Sequence, residues 1–496
     1  MKNIKNLLVL LLITFMFSCD NAIDIEQPGT FYLEDQYDGT VASLRDGMNG
    51  LYSNLDNTNE IKFNAVFTDE ISIGVENGGQ AQAEYGINLT SATSTAYSIW
   101  ANSYINISQI NRFLDASEKT TPEPSEVSEY NNLVGQAYAM RAYLHFVLQT
   151  YYTEDLTDDN KLGVIILNKV ATVDEKFKRN TNLEVFDFIE ADLTKADSLI
   201  QNNGVFLFGT DVIKAIRARM AAYRGDYTTA ETLANELLTA YPLAPLASFG
   251  QVWTDQSDAG IIFKFKRVKG DSYDRQATGM TAGGNAGTMF SFGASGGNQS
   301  TYLEMSRSLF NKYSTADTRY NAYVDFGSST IDPNYMTSPN VIESDILAIG
   351  KYFVGLRSDQ QKYLLNDLKI FRSAEMLLLI AEAKAFNHDY NGVATTLKQL
   401  RDARFPSPTT ALTLTTEQEA YEAILAERRL ELAYEGFRWV DLKRLGVKGN
   451  VEIDRDPRDC EINGVCTLDK NSHKFTMPIP LTEMDINDLL IQNANY

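Results

Sequence analysis

The sequence predicts a mainly α fold: a tetratricopeptide-like helical hairpin scaffold with a large irregular, loop-rich region and a few short strands. Three features predict it. Apolar residues recur every three or four positions along several long segments, the period of a helix with one buried face. A helix–turn–helix signature stands twice in the chain at a constant offset. The stretch between the two copies is rich in Gly, Ser, Thr, Asn and aromatic residues and has no helical period.

From Val41 the pattern turns helical. Over Tyr97–Leu114, residues Trp100, Tyr104, Ile107 and Ile110 fall on one helix face, which places Trp100 in the core. Thr121-Pro122-Glu123-Pro124-Ser125 is a loop and a helix start. The next helix is marked by Ala137, Met140, Leu144, Val147 and Tyr151. The first hairpin turns at Ala222-Tyr223-Arg224-Gly225-Asp226-Tyr227 and continues with Ala230, Leu233, Ala234 and Leu237. The second turns at Ala385-Phe386-Asn387-His388-Asp389-Tyr390 and continues with Val393, Leu397 and Leu400. Small residues let the paired helices approach, and the aromatic wedges between them. The last helix is expected over Tyr421–Leu445, with Ala426, Leu430, Ala433, Phe437 and Val440 as its buried stripe.

Between the hairpins, Ile261 to Arg267 reads as a short strand, and the alternation around Lys264, Lys266 and Arg267 suggests a solvated basic face. Ala282-Gly283-Gly284-Asn285-Ala286-Gly287 and Gly293-Ala294-Ser295-Gly296-Gly297-Asn298 are loops. The scaffold is expected over about 41–243 and 345–445, the loop-rich region over about 244–344, and a tail over 446–496.

The start of the chain has its own pattern. Lys2 and Lys5 precede an apolar run from Leu7 to Phe17, broken only at Thr14, and Ser18-Cys19 follows. A basic segment, a short apolar segment and a small residue before the cut describe a secretory signal. The run is about half the roughly 20 residues that a membrane-spanning helix needs. Cysteine at the cut suggests a lipoprotein signal over residues 1–18, lipidation at Cys19 and an extended leader over 19–40. Two lipid chains at one end hold a soluble domain at a membrane.

The formal net charge is −21, and 44% of residues are apolar and 11% aromatic. An acidic surface of this kind repels nucleic acid. Of the three cysteines, Cys460 and Cys466 remain once Cys19 is lipidated. An even pair in an exported chain reads as a disulfide. No histidine pair accompanies them, so zinc is not expected, and no cofactor is implied.

The ordered set of segments resembles the SusD/RagB outer-membrane lipoproteins. Its densest part is Ile424-Leu425-Ala426-Glu427-Arg428-Arg429-Leu430-Glu431-Leu432-Ala433-Tyr434-Glu435-Gly436-Phe437-Arg438-Trp439-Val440-Asp441-Leu442-Lys443-Arg444. Arg372-Ser373-Ala374-Glu375, Arg141-Ala142-Tyr143 and the closing Pro478-Ile479-Pro480 with Gln492-Asn493 also fit. One stretch departs: after the Arg141 helix the chain reads Tyr151-Tyr152-Thr153-Glu154-Asp155, where the family commonly has Tyr-Gly and a proline turn. The resemblance implies a helical back with variable ligand loops on the other face. It implies a lipid-anchored protein of the cell outer membrane, facing the exterior and capping a SusC-like TonB-dependent transporter. Its usual cargo is a glycan. A peptide cargo, as on the RagB side of the family, is the alternative.

Sugar recognition uses aromatic faces that stack on pyranose C–H groups, with amides and carboxylates beside them. The family's ligand loops fall before the Trp100 helix and within the Gly-rich middle. Here they offer Asp69, Tyr85, Asn88 and Tyr97, then Trp253, Tyr273, Phe290 and Tyr302. Packing within the loops is the competing explanation for each. No nucleophile elbow, phosphate loop or His-x-x-x-His is present, and catalysis is not expected. The Glu427, Glu431, Glu435 and Arg438 set is read as ion pairs that lock a helix to its neighbours. Asp155, Asp158, Asp159 and Asn160 lack the spacing of a calcium loop and read as a solvated acidic turn. A glycosidase and a helical scaffold binding only proteins are the remaining rivals.

Overall fold

The computed structural model describes residues 37–74, 77–172, 174–267, 290, 302–327, 329, 331, 346–352, 366–460 and 465–496. The signal, Cys19, most of the leader, Tyr273 and both Gly-rich loops lie outside the described residues.

Helix α1 (Val41–Asn54) is capped by Thr40, whose hydroxyl accepts from the Ser43 amide, and it buries Val41, Leu44, Met48 and Leu51. Helix α2 (Thr58–Phe67) leads straight into strand β1 (Ile71–Ile73). After the single turn α3 (Gln82–Tyr85) come two long helices, α4 (Ser94–Glu118) and α5 (Val127–Tyr152). Trp100 of α4 is buried against Tyr152 of α5. Helix α6 (Asn182–Asp197) opens on a capping box between Thr181 and Glu184 and packs along α5. There Arg141 meets Asp192 in two parallel 2.7 Å bonds.

The two hairpin copies pack on each other. Helices α7 (Thr210–Arg224) and α8 (Tyr227–Ala240) form the first. After α9 (Leu246–Trp253), strand β2 (Ile261–Phe265), strand β3 (Leu303–Met305) and the short helices α10 (Arg307–Phe310) and α11 (Thr318–Tyr323), strand β4 (Leu368–Arg372) feeds the second. That hairpin is α12 (Ser373–Phe386) and α13 (Tyr390–Asp402). The turn chemistry repeats. Asp226 accepts from the Thr229 amide at 3.1 Å, and Asp389 from the Gly392 amide at 2.8 Å. Helix α12 lies against α8, and the Tyr227 and Phe386 rings meet with centroids 5.0 Å apart. Strands β2 and β4 pair antiparallel beneath the hairpins.

Two expectations change. The final helix is not continuous: α14 (Glu417–Glu431) ends, and α15 (Arg438–Gly449) starts after a turn in which Tyr434 and Gly436 take positive φ of 64° and 86°. Ala426 is exposed, whereas Glu427, Arg428, Arg429 and Glu431 are buried. The charged face therefore points inward, because neighbouring elements bring opposite charges to it. The face around Lys264 is solvated only at Lys266. Lys264 is buried between Asp258 and Asp367, each at 2.7 Å, and Arg267 pairs with Asp56 at 2.9 Å.

The acidic turn after α5 is built from local bonds: Asp155 accepts from Thr157, Asp158 from Asn160, and Asp159 pairs with Arg224 at 2.8 Å. No helix among the described residues is long and apolar enough to cross a membrane.

Candidate functional site

The two loop regions singled out in the sequence lie far apart in the chain, and one small sheet joins them. Strand β1 pairs antiparallel with β3, with Ile71 opposite Met305 and Ile73 opposite Leu303. The ladder continues past the strands, because the Gly74 amide donates to the Tyr302 carbonyl at 3.1 Å, and Asn77 Nδ2 donates to the same carbonyl at 2.9 Å. The segment from Gly74 to Thr93 therefore starts beside the end of the Gly-rich middle.

A third segment closes the rim. Strands β5 (Ile453–Asp454) and β6 (Thr467–Leu468) flank the one-turn helix α16 (Pro457–Cys460), and Cys460 is disulfide-bonded to Cys466. Arg455 ties this unit to the others. Its guanidinium donates to the carbonyls of Val66, Phe67 and Thr68 at the end of α2, to Tyr85, and to Val465. One side chain thus satisfies several of the carbonyls that a helix C-terminus leaves open. Arg307 pairs with Asp459 across the same joint.

Beneath the rim is a set of buried ion pairs from α14 and α15. Arg438 holds Asp69 through bonds of 2.8 and 2.9 Å, and Arg429 adds a contact at 3.4 Å. Burial would raise the Asp69 carboxyl, but the two guanidiniums outweigh it and keep it well below the usual carboxylate range. Next to it, burial and the Asp69 charge push the Glu70 carboxyl up to about 8. Deeper in, Glu431 accepts from Arg404 and Arg372, and Glu435 from Arg372 and Lys351. These pairs sort by sign at each node, and their chemistry is that of a rigid joint.

The predicted ligand residues divide sharply. Tyr97 is 46% exposed on the first turn of α4, Asn88 is exposed in the preceding loop, and Tyr302 is half-buried at the end of the β1–β3 ladder. The segments carrying Tyr97 and Asn88 both bond to α3, since Thr95 donates to Glu84 and the Asn88 amide donates to the Ala83 carbonyl. Four others offer no face to a ligand. Asp69 is buried on its arginines. Tyr85 is buried, donates to the Asp459 carbonyl at 3.0 Å and lies under the Arg455 guanidinium at 3.9 Å. Trp253 is buried beneath Lys351 at 4.2 Å and against Tyr323. Phe290 is buried against Tyr352 and Tyr434. Each pins irregular chain to the scaffold, the role that competed with ligand contact. Arg455 escaped notice because a lone arginine in a tail carries no pattern. Among the described residues, no group of three or more His, Cys, Asp or Glu side chains could hold a metal ion.

Comparison with known proteins now decides the lineage. Residues 20–223 match the family described as starch-binding associating with outer membrane, and residues 320–496 match the SusD family. The chain belongs to the SusD/RagB family. A SusD-like protein of Formosa agariphila is 25% identical to it over 490 residues, covering 90% of this chain and 92% of the relative. In fold, a SusD superfamily protein from Bacteroides thetaiotaomicron superposes with a TM-score of 0.75 at 20% identity, over 92% of this chain and 100% of the other. A SusD-like carbohydrate binding protein from Bacteroides vulgatus gives 0.69 at 18% identity, over 91% and 97%. The family's signature stretch coincides here with the buried ion pairs of α14 and α15, so in this chain it describes the joint and not the rim.

Proposed function

We propose that this protein is a nutrient-binding subunit held at the outer membrane by a lipid on Cys19. It takes an extracellular oligo- or polysaccharide at the rim and delivers it to a SusC-like TonB-dependent transporter. The observation that carries the reading is the β1–β3 ladder. It brings Gly74 and Asn77, at the start of the loop before α4, against Tyr302 at the end of the Gly-rich middle, and the same loop carries the exposed Asn88 and leads to the exposed Tyr97. An exposed tyrosine with a neighbouring amide is the chemistry that stacks on a sugar ring and reads its hydroxyls. Membership of the family supports the same role, as does the fold shared with a protein described as carbohydrate binding.

The test has two parts. The mature protein is screened against a panel of neutral and acidic glycans and unstructured peptides, by calorimetry. The Tyr97→Ala, Asn88→Ala, Tyr302→Ala triple variant is then titrated with any ligand found. Loss of at least tenfold in affinity, with the unfolding midpoint kept, is the expected result. Unchanged glycan affinity would remove the rim from the reading, and binding of peptides alone would replace the cargo. For the transporter, a C-terminally tagged chain is purified gently from native outer membrane. A large β-barrel protein in near-equal amount is expected, and recovery of the chain alone would withdraw the partner.

A further inference from the structure

At the joint between α2, α5 and α7 there is a narrow crevice of about 60 Å³. A water needs about 10–15 Å³ of such space, so the crevice has room for an ion with part of its hydration shell. Its walls mix apolar side chains with Asn57, Glu60, Tyr143, Tyr151, Arg219 and Glu435.

Charge balance singles out one group. Arg219 is neutralised by Glu375, through bonds of 2.5 and 2.7 Å. Glu435 is neutralised by Lys351 and Arg372. The nearest other acid, Asp56, pairs with Arg267. The tyrosines facing the space, Tyr143 and Tyr151 from α5 and Tyr223 from α7, are neutral, and burial holds all three above their ordinary value. Glu60, on the first turn of α2, has no ion-pair partner among the described residues. Burial pushes its carboxyl up to about 8. A second oxygen is orphaned there: Asn57 Oδ1 is buried and accepts from no donor. Above that pH the Glu60 carboxylate and the Asn57 carbonyl oxygen, with no donor satisfying the latter, form an acceptor-only pair that suits a hard cation. One uncancelled negative charge matches a single positive charge. A divalent ion such as calcium takes six to eight oxygens and usually several carboxylates.

We propose that this crevice binds a small monovalent cation, held by the Glu60 carboxylate and the Asn57 side-chain carbonyl. The ion cancels the Glu60 charge, which no ion pair meets among the described residues, and fastens the start of α2. That helix runs into β1, which carries the first rim loop, so occupancy stiffens the support of the rim. The inference does not depend on what the rim binds.

Thermal unfolding of the mature protein at pH 9 tests it, in sodium, potassium or choline chloride at matched ionic strength. The unfolding midpoint is expected to be several degrees higher in sodium or potassium than in choline, saturating with concentration. Glu60→Gln is expected to abolish the difference while remaining folded, because the neutral amide satisfies the site without an ion. Equal midpoints of the wild type in all three salts would overturn the proposal, as would a full increment in Glu60→Gln. If Glu60→Gln fails to fold, ²³Na line broadening by the wild-type protein, relieved by excess potassium, replaces it. Absence of broadening would overturn the proposal equally.

Discussion

Glu431 offers the sharpest test of how the joint is held. Its carboxylate is buried and accepts from Arg404 at 2.8 and 2.9 Å, from Arg372 at 3.0 Å and from Arg319 at 3.5 Å. Burial alone would raise its pKa, yet the guanidiniums of Arg404, Arg372 and Arg319 hold it far below the usual range. The consequence of removing it can be followed partner by partner. Arg372 keeps Glu435, and Arg319 keeps Asp317 and Glu427. Arg404 keeps only carbonyl oxygens and the face of Phe249 at 4.1 Å. Glu431→Gln therefore strands one buried guanidinium, and breaking a buried pair in this way costs about 3–5 kcal/mol. That is a large part of a typical domain stability of about 5–15 kcal/mol. An exposed pair such as Lys214–Glu236 is worth about 0–1 kcal/mol, so Glu236→Ala is the control. Urea unfolding followed by tryptophan fluorescence measures both, since Trp253 and Trp439 are buried near the joint. Replacing the pair together, Glu431→Gln with Arg404→Met, should recover about 2 kcal/mol or more, because the stranded charge is gone. A loss below about 1 kcal/mol for Glu431→Gln would refute the reasoning, since it would mean that water reaches Arg404.

Other outcomes follow from single sites. His145 is buried, its Nδ1–H donates to the Arg141 carbonyl and its Nε2 accepts from the Leu167 amide, so the ring is neutral. Burial lowers its pKa to about 3. The unfolded chain takes up the proton first as pH falls below about 6.5. Stability should therefore drop between pH 6.5 and 3, by roughly 4 kcal/mol from this group. Unfolding midpoints against pH should show a flatter acid limb in His145→Gln, and an unchanged slope would count against it. Arg438→Lys replaces two parallel bonds to Asp69 with one point contact, and a loss of about 2 kcal/mol is expected in urea. Reducing the Cys460–Cys466 bond, which closes a short loop, should cost roughly 2 kcal/mol. Equal melting curves with and without reductant would contradict that figure.

The helices were legible because a 3.6-residue period survives whatever packs against it. The hairpin copies were legible too, since Asp226 and Asp389 cap helices by contacts only a few residues long. A paired-cysteine reading needed only composition. The sequence read Glu427 and Glu431 as ion pairs to neighbouring elements, but it could not disclose their partners, because Arg319, Arg372 and Arg404 come from three distant elements. The same blindness put Asp69, Tyr85, Trp253 and Phe290 among the ligand residues, since a loop or a short helix is too brief for its period to reveal what covers a residue. The rim itself depends on β1 finding β3 across more than two hundred residues. Local sequence determines helices, caps and turns, because their bonds join near neighbours. Tertiary structure alone decides the rim and the buried ion pairs, because their partners are brought together only by the completed fold.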